Sequence, residues 1–281
     1  MNETGYAQSQ GMTLLTRVVE EAGPLFTTAQ ATAAAPELPP YRVRALLSQL
    51  AQAGWIERLK RGTYAVRTPL FNTEVHPYAA AEALVSPLAI SHWSALAHHG
   101  LTTQIPPMVQ ASTPVSVVTP DMRQGAAYRP RGRAAWRALG LEFEFIRVQP
   151  RHFFGFQEVW VSRWHRVSVT DPERTVLDLF AAPQVFGSLQ AGLETLEAHL
   201  LRLDVDQLAA YALRYDVGAV IKRLGWALET CGAPERVTTL LRAYPLGAYS
   251  QLDPTGPPGG TPVARWRLRN NLQVEADNAH R

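Results

Sequence analysis

Several features that would mark common classes of protein are scarce or missing in this chain of 281 residues. A single cysteine, Cys231, excludes an internal disulfide framework and a metal site of the CxxC type. No apolar run approaches the ~20 residues that a membrane-spanning helix needs. Residues 1–11 have neither the basic start nor the apolar core of an export signal. We therefore expect a cytoplasmic protein that does not enter a membrane.

Motifs for enzyme chemistry are missing as well. The sequence has no G-x-x-x-x-G-K-[ST] or G-x-G-x-x-G fingerprint for a nucleotide, and it has no HExxH zinc motif. His98 and His99 are adjacent on one predicted helix, so their side chains would point in different directions and could not share a metal ion. These absences favour a protein that is not an enzyme.

The acidic residues of the sequence would still allow one class of enzyme, a nuclease. Such an enzyme could use the carboxylates of Asp171, Glu173 and Asp178 with Glu142 or Glu144. However, the Phe-Ile-Arg that follows Glu144 lacks the Glu-x-Lys pattern of restriction-type nucleases, and helix capping explains Asp171 and Glu173. We therefore predict no catalytic residue, no metal and no cofactor, and we keep the nuclease as the weakest alternative.

The charge of the chain permits a nucleic acid as partner but does not require one. Its 27 basic residues exceed its 24 acidic residues by three, and its pI is about 9.2. Hydrophobic residues make up 46% of the chain, which is enough for an ordinary globular core. The length predicts two domains.

A helix followed directly by a hairpin is the most informative pattern in the sequence. Apolar residues recur at helical spacing in residues 41–53, and two short strands, 55–56 and 64–66, flank a basic turn at 60–62. Upstream, residues 12–22 and 29–35 predict two further helices, the second capped by Thr27 or Thr28. This order of elements predicts a winged helix-turn-helix, which places one helix in a DNA groove and the hairpin on the backbone.

Basic residues are concentrated in this predicted helix and hairpin. Between residues 40 and 67 they outnumber the acidic residues six to one, and phosphate contacts favour such an excess. Arginine in the first turn of the reading helix can pair with guanine. The predicted DNA-binding residues are Tyr41, Arg42, Arg44, Arg58, Lys60, Arg61 and Thr63. The alternative is a winged helix that binds protein, with its charges exposed to solvent.

The rest of the chain predicts a sheet followed by a helical half. Helices are expected at 78–85 and from Ser91 to Gly100, and strands at 109–111, 115–118, 141–148 and 159–169. Helices beginning at Asp171 and covering 187–200, 205–215, 217–231 and 234–243 follow, and a basic strand at 264–269 closes the chain. The predicted fold is mixed α+β. Its predicted parts are a winged helix-turn-helix (12–67) and a larger α/β C-terminal domain (74–281) with a sheet-rich part (88–170), a helical part (171–244) and the terminal strand.

A second basic cluster lies in the predicted sheet, interleaved with aromatic residues. Its arginines could bind nucleic acid or an acidic partner. The alternative is that the aromatic residues fill the core. The arginines that we expect to be exposed, because they lie in a Pro/Gly turn region, are Arg129, Arg131 and Arg133.

An ordered set of segments resembles the AbiEi antitoxins of type IV toxin–antitoxin systems. The set comprises the helix-wing module with Arg-Gly-Thr-Tyr at 61–64, the blocks at 90–101, 170–179 and 219–225, and the closing segment from Pro245 to Asn270. A long Pro/Gly loop before Trp266 departs from the pattern. The resemblance implies a winged helix that binds inverted repeats in its own promoter and represses the operon. It also implies a C-terminal domain that counters a toxin of the nucleotidyltransferase class.

Two copies bound to an inverted repeat would fit the geometry of this motif. A winged-helix transcription factor that responds to a small ligand is the remaining alternative, since a ligand pocket leaves no linear pattern in a sequence.

Overall fold

The computed structural model describes residues 3–71, 74–125 and 133–272, which form two compact units. The first unit consists of the described residues within Met1–Ala89, Pro107–Arg147 and Glu158–Ser168; the rest belong to the second. The predicted fold class, mixed α+β with an N-terminal winged helix and a larger α/β part, is confirmed. The predicted domain limits, 12–67 and 74–281, stay a prediction.

The N-terminal elements follow the order of a winged helix-turn-helix. They are α1 (Glu3–Ala22), β1 (Leu25–Thr27), α2 (Thr28–Ala33), α3 (Pro40–Gln52), β2 (Ile56–Lys60) and β3 (Thr63–Val66). The strands form an antiparallel sheet in the order β1-β3-β2. Sequence reasoning missed β1, whose three residues pair with β3 over a distance of about forty positions in the chain.

The core of the winged helix is built from the apolar faces of α1 and α3. Leu14, Leu15 and Val18 of α1 pack in one cluster with Leu46 and Leu47 of α3, and all five are at most 2% exposed. Their spacing of three or four residues aligns them on one side of each helix, so burial of that side orients both helices.

A mixed set of helices and strands follows. It comprises α4 (Pro77–Leu84), β4 (Ala89–Ile90), α5 (His92–His98), β5 (Val109–Thr113), α6 (Pro120–Arg123), β6 (Ala134–Ala138), β7 (Leu141–Arg147), β8 (Phe156–Trp160) and β9 (Arg166–Thr170). In the first unit β7 pairs in parallel with β5 and antiparallel with β6. In the second unit Ile90 of β4 lies opposite Val169 of β9 in a parallel pair.

Three predictions for this region are wrong. The single strand predicted at 159–169 is two strands, β8 and β9, separated by residues 161–165. Residues 115–118 form no strand, because β5 ends at Thr113 and Pro114, which has no N–H, follows. β7 is not half-buried with its glutamates outward: Glu144 is fully buried, and its cross-strand neighbours Gln110 and Ala135 are buried with it. Sequence reasoning also missed β6, whose alanines have little strand propensity.

Helices dominate the rest of the chain. The elements are α7 (Pro172–Ala181), α8 (Pro183–Phe186), α9 (Gln190–His199), α10 (Val205–Tyr215), α11 (Gly218–Thr230), α12 (Glu235–Ala243), β10 (Ser250–Gln251), β11 (Thr261–Val263) and β12 (Leu268–Asn270). The strands form a sheet in the order β10-β12-β11. The predicted strand at 264–269 is wrong in its first half, where Ala264–Trp266 is a 3-10 turn that the buried Trp266 anchors.

Two histidines make the first unit sensitive to acid. Burial lowers the pKa of His76 and His165 below the ordinary value of 6.5, and the charge of His165 would lower that of His76 further. The unfolded chain therefore binds protons more readily than the folded one as the pH falls through 6.5, and stability is lost over that window.

We expect the melting temperature to drop by a few degrees between about pH 7.5 and about pH 5.5, as measured by circular dichroism. The melting temperature of a His76→Gln/His165→Gln variant should drop by less over the same pH interval. An equal loss in both proteins would contradict this assignment of the acid sensitivity.

Candidate nucleic-acid interface

Helix α3 is held with one side in the core and the other in solvent. Pro39 is its N-cap and Pro40 occupies its first position, where a missing N–H costs nothing. The preceding helix α2 starts with a capping box, in which Thr27 accepts from the Gln30 N–H and the Gln30 side chain accepts from the Thr27 N–H. The capping box thus fixes the start of α2, and the two prolines fix the start of α3.

The exposed side of α3 is a polar stripe that runs along its length. Tyr41 is 70% exposed, and Arg44, Ser48 and Gln52 are exposed at intervals of three or four residues. Arg44 has no hydrogen-bond or ion-pair partner among the residues that the structure describes. Sequence reasoning missed Ser48 and Gln52, although their helical spacing opposite the apolar positions marks them.

Arg42 is placed differently from Arg44. It is half-buried, and its Nη2 donates to Oε1 of Gln10 in α1 at 3.0 Å. A guanidinium has five donors, so this bond leaves others available but limits the reach of the side chain. Arg44 is therefore the better placed of the two for reading a base.

The hairpin of β2 and β3 forms a short wing. Its turn is Arg61-Gly62, and Gly62 adopts φ +77°, a conformation that glycine tolerates best. The Gly62 carbonyl accepts from the Thr28 N–H at 2.9 Å, which ties the tip to the start of α2. Arg58 and Arg61 are exposed. The wing thus presents Arg58 from β2 and Arg61 from a turn whose position is fixed relative to α2.

This geometry coincides with the match to a known family. Residues 14–67, which run from the second half of α1 to just past β3, match the family model described as transcriptional regulator, AbiEi antitoxin. Residues 14–67 are therefore similar to the winged helix of the AbiEi antitoxin regulators. A search of the curated proteins found no match. The antitoxin and regulator role is therefore supported by the N-terminal part of the chain.

Two of the predicted contacts lie outside the exposed surface of the winged helix. Thr63 is only 7% exposed, because β3 is the middle strand and pairs with Thr27 on one side and Lys60 on the other. Lys60 is half-buried, and its Nζ donates to the carbonyl of Leu84 at 3.3 Å. We therefore remove Thr63 from the predicted contacts and assign Lys60 a mainly structural role.

The acidic residue of the wing is already engaged. Oε2 of Glu57 lies 3.6 Å from Nε of Arg67, and its Oε1 accepts from the N–H of Leu139 at 2.8 Å. Because Glu57 does not pair with Arg44, Arg58 or Arg61, it leaves their charges available to phosphate.

The predicted second basic surface is only partly covered by the structure. Arg129 and Arg131 lie outside the described residues. Arg133 is described, and the prediction that it is exposed is wrong. Its side chain is 15% exposed, and its Nη1 lies 3.3 Å from Oε2 of the fully buried Glu144, which also accepts from Gln110 at 2.6 Å. A buried carboxylate requires such a partner, so Arg133 is engaged in the fold.

The carboxylates considered for a nuclease all have structural partners. Asp171 caps α7 by accepting from the Arg174 N–H at 2.7 Å, and it accepts from the Tyr211 hydroxyl at 2.7 Å. Burial, together with that bond and the nearby charge of Asp171, raises the pKa of Tyr211 to about 12. Glu173 accepts from the Asp204 N–H at 2.9 Å. The predicted capping role of Asp171 is confirmed.

Asp178, the third of these carboxylates, belongs to a buried ion pair in the second unit. Its Oδ1 accepts from Nη2 of Arg174 at 2.8 Å and from Nε at 3.1 Å. The same guanidinium donates to the carbonyls of His152 and Phe154 at 2.6 and 3.2 Å. These contacts account for four of its five donors, so the pair is a structural tie between α7 and the segment before β8.

Neither a metal site nor a membrane span emerges from the part of the chain that the structure describes. No group of three or more His, Cys, Asp or Glu side chains there could hold a metal ion. Nε2 of His99 lies 2.6 Å from the carbonyl of Thr170, which gives that histidine a structural role. None of the described helices is long and apolar enough to cross a membrane.

Proposed function

We propose that this protein is an antitoxin that represses its own operon by binding inverted repeats in the promoter through α3 and the wing. The observation that carries the proposal is the polar stripe of α3, with the unpartnered Arg44 in its first turns and the exposed Arg58 and Arg61 on the wing. A helix anchored by its apolar side and polar on the other is the form that enters a major groove. This role would place the protein in the cytoplasm.

The remainder of the chain would then counter a toxin of the nucleotidyltransferase class. Support comes from the AbiEi antitoxin model that matches residues 14–67 and from the resemblance of the later blocks. Two copies on an inverted repeat would present two α3 helices to successive major grooves.

The first test is fluorescence anisotropy of the full chain on its own upstream DNA and on a scrambled duplex. We expect the upstream DNA to bind at least about a hundredfold more tightly at moderate salt, since base contacts add to the phosphate term. Equal affinity for both duplexes would contradict operator recognition and would favour a winged helix that binds protein.

Antitoxin activity is tested separately in cells. The chain and the nucleotidyltransferase-type toxin encoded beside it would be expressed from unrelated promoters, so that repression of the operon cannot protect the cells. We expect the wild type and an Arg44→Ala variant to restore growth equally, because α3 reads DNA and the rest of the chain opposes the toxin. Failure of the wild type to restore growth would contradict the antitoxin role.

A further inference from the structure

A cleft in the first unit is lined by residues of the wing and by residues that have no role in the proposed function. It has a volume of about 710 Å³, which is within the range of small-molecule sites. Residues of β2, the end of α4, residues 115–118 and α6 line it. The segment 115–118, which forms no strand, is thus one wall of the cleft.

The cleft is lined by cations without acidic residues. Arg58, Lys60, Arg61 and Arg123 line it, and no aspartate or glutamate is among its described lining residues. Asp121, also in α6, is not a lining residue. Among the described residues neither Arg58 nor Arg123 has a hydrogen-bond or ion-pair partner, and both are exposed. Four uncompensated cations around one concave surface favour an anionic ligand.

A bulge in β2 explains how the wing contributes consecutive residues to this cleft. In a regular strand neighbouring side chains alternate between the two faces. Here the register shifts between Arg58 and Lys60, so two residues oppose one on β3. Arg58, Leu59 and Lys60 consequently all line the cleft, and the bond from Lys60 to the Leu84 carbonyl holds this wall against the end of α4.

The floor and one rim of the cleft are apolar. Leu59, Leu84 and Trp136 are 4%, 4% and 8% exposed, and we call these buried lining residues the floor; Val118, which is 49% exposed, is assigned to the rim. A free phosphate ion would satisfy the arginines but leave this apolar surface in water. The combination suits a ligand with a phosphate at one end and an apolar or planar body at the other.

We propose that this cleft binds a small organic phosphate of the nucleoside monophosphate class. Arg58, Arg61 and Arg123 contact the phosphate, and the base lies over the apolar floor near Trp136. Because Arg58 and Arg61 are also proposed wing contacts, a bound nucleotide competes with the DNA backbone for them. This competition rests on the proposed function, whereas nucleotide binding itself does not.

Isothermal titration with AMP, adenosine and inorganic phosphate tests the cleft in the absence of DNA. We expect AMP to bind at least about tenfold more tightly than either of the others, since only AMP offers both charge and a planar body. Equal affinity for AMP and adenosine, or no saturable binding of AMP, would overturn the proposal.

Matched variants locate the site. Arg123→Gln should weaken AMP binding about tenfold, because it removes a charged donor outside the wing. Val118→Asp should weaken it similarly by placing a negative charge on the rim. Arg147→Gln removes another exposed arginine of the same unit, one that does not line the cleft, and the affinity of this variant for AMP should stay within about twofold of wild type. An equal loss in Arg147→Gln and Arg123→Gln would mean diffuse attraction and would overturn the site.

The competition is measured by anisotropy on the upstream DNA with and without saturating AMP. We expect AMP to lower the DNA affinity of the wild type and to have less effect on Arg123→Gln. Unchanged DNA affinity would overturn the competition, while the titration without DNA still decides whether the cleft binds the nucleotide.

Discussion

Replacing Arg174 with leucine is expected to lower the free energy of unfolding by about 3–5 kcal/mol, the largest effect on stability that we predict. Arg174 and Asp178 are 2% and 3% exposed, so the substitution leaves a carboxylate buried without its cation. The carbonyls of His152 and Phe154 lose a donor at the same time. Both losses carry the cost of an unsatisfied buried group.

The measurement is urea denaturation followed by far-ultraviolet circular dichroism. Arg214→Leu is the matched control, because Arg214 also lies over the Phe154 ring, at 4.1 Å, but is exposed. We expect this control to change the free energy of unfolding by less than about 1 kcal/mol.

A double substitution separates the charge from the packing. Arg174→Leu/Asp178→Leu removes both ions, and it should recover part of the loss because no lone charge stays buried. If Arg174→Leu were as stable as wild type, the ion pair would have no structural role, and Asp178 would again be open to a functional one.

The largest expected effect on function is the loss of operator binding in Arg44→Ala. We expect affinity for the upstream DNA to fall about tenfold or more, since one bidentate contact to a base is worth about 1–3 kcal/mol. Affinity for scrambled DNA should fall much less, because only a phosphate contribution is removed there. Arg42→Ala should have the smaller effect of the two, since Arg42 is engaged with Gln10.

Arg147→Ala is the control for charge, because it removes an exposed arginine far from α3 in the sequence and outside the winged helix. Equal losses in Arg44→Ala and Arg147→Ala would contradict a specific role for α3. The wing is tested by salt dependence: Arg58→Ala/Arg61→Ala should lower the slope of log affinity against log salt by about 2, one for each phosphate contact.

Elements that depend on nearby residues could be predicted from the sequence. The apolar spacing in residues 41–53 placed α3 within one residue of its observed limits at each end. The cap at Asp171 could be predicted, and that of α2 could be narrowed to Thr27 or Thr28, because a cap contacts N–H groups two or three positions away. A turn centred on glycine likewise predicted the wing.

Elements that depend on distant residues could not be predicted from the sequence. The alanines of β6 favour a helix on their own, and only the pairing of Trp136 with Phe143 and its neighbours makes the segment a strand. Glu144 has the spacing of the polar position of a half-buried strand, but it is buried beside Gln110 and Ala135 of the neighbouring strands, and Arg133 and Gln110 satisfy its charge.

By itself, the sequence determined the winged helix and the concentration of arginines on its helix and wing, because helical periodicity, caps and turns are local properties. Only the tertiary structure decided which of those side chains is available to a ligand. Arg44 is exposed and unpartnered within the described part of the chain, whereas Arg42 is bound to Gln10. Lys60 of the wing is bound to the Leu84 carbonyl, and the same distinction holds outside the winged helix, where Arg133 is bound to a buried carboxylate. These partners lie between 11 and 32 positions away along the chain, and neither spacing nor composition specifies which distant groups meet when the core forms.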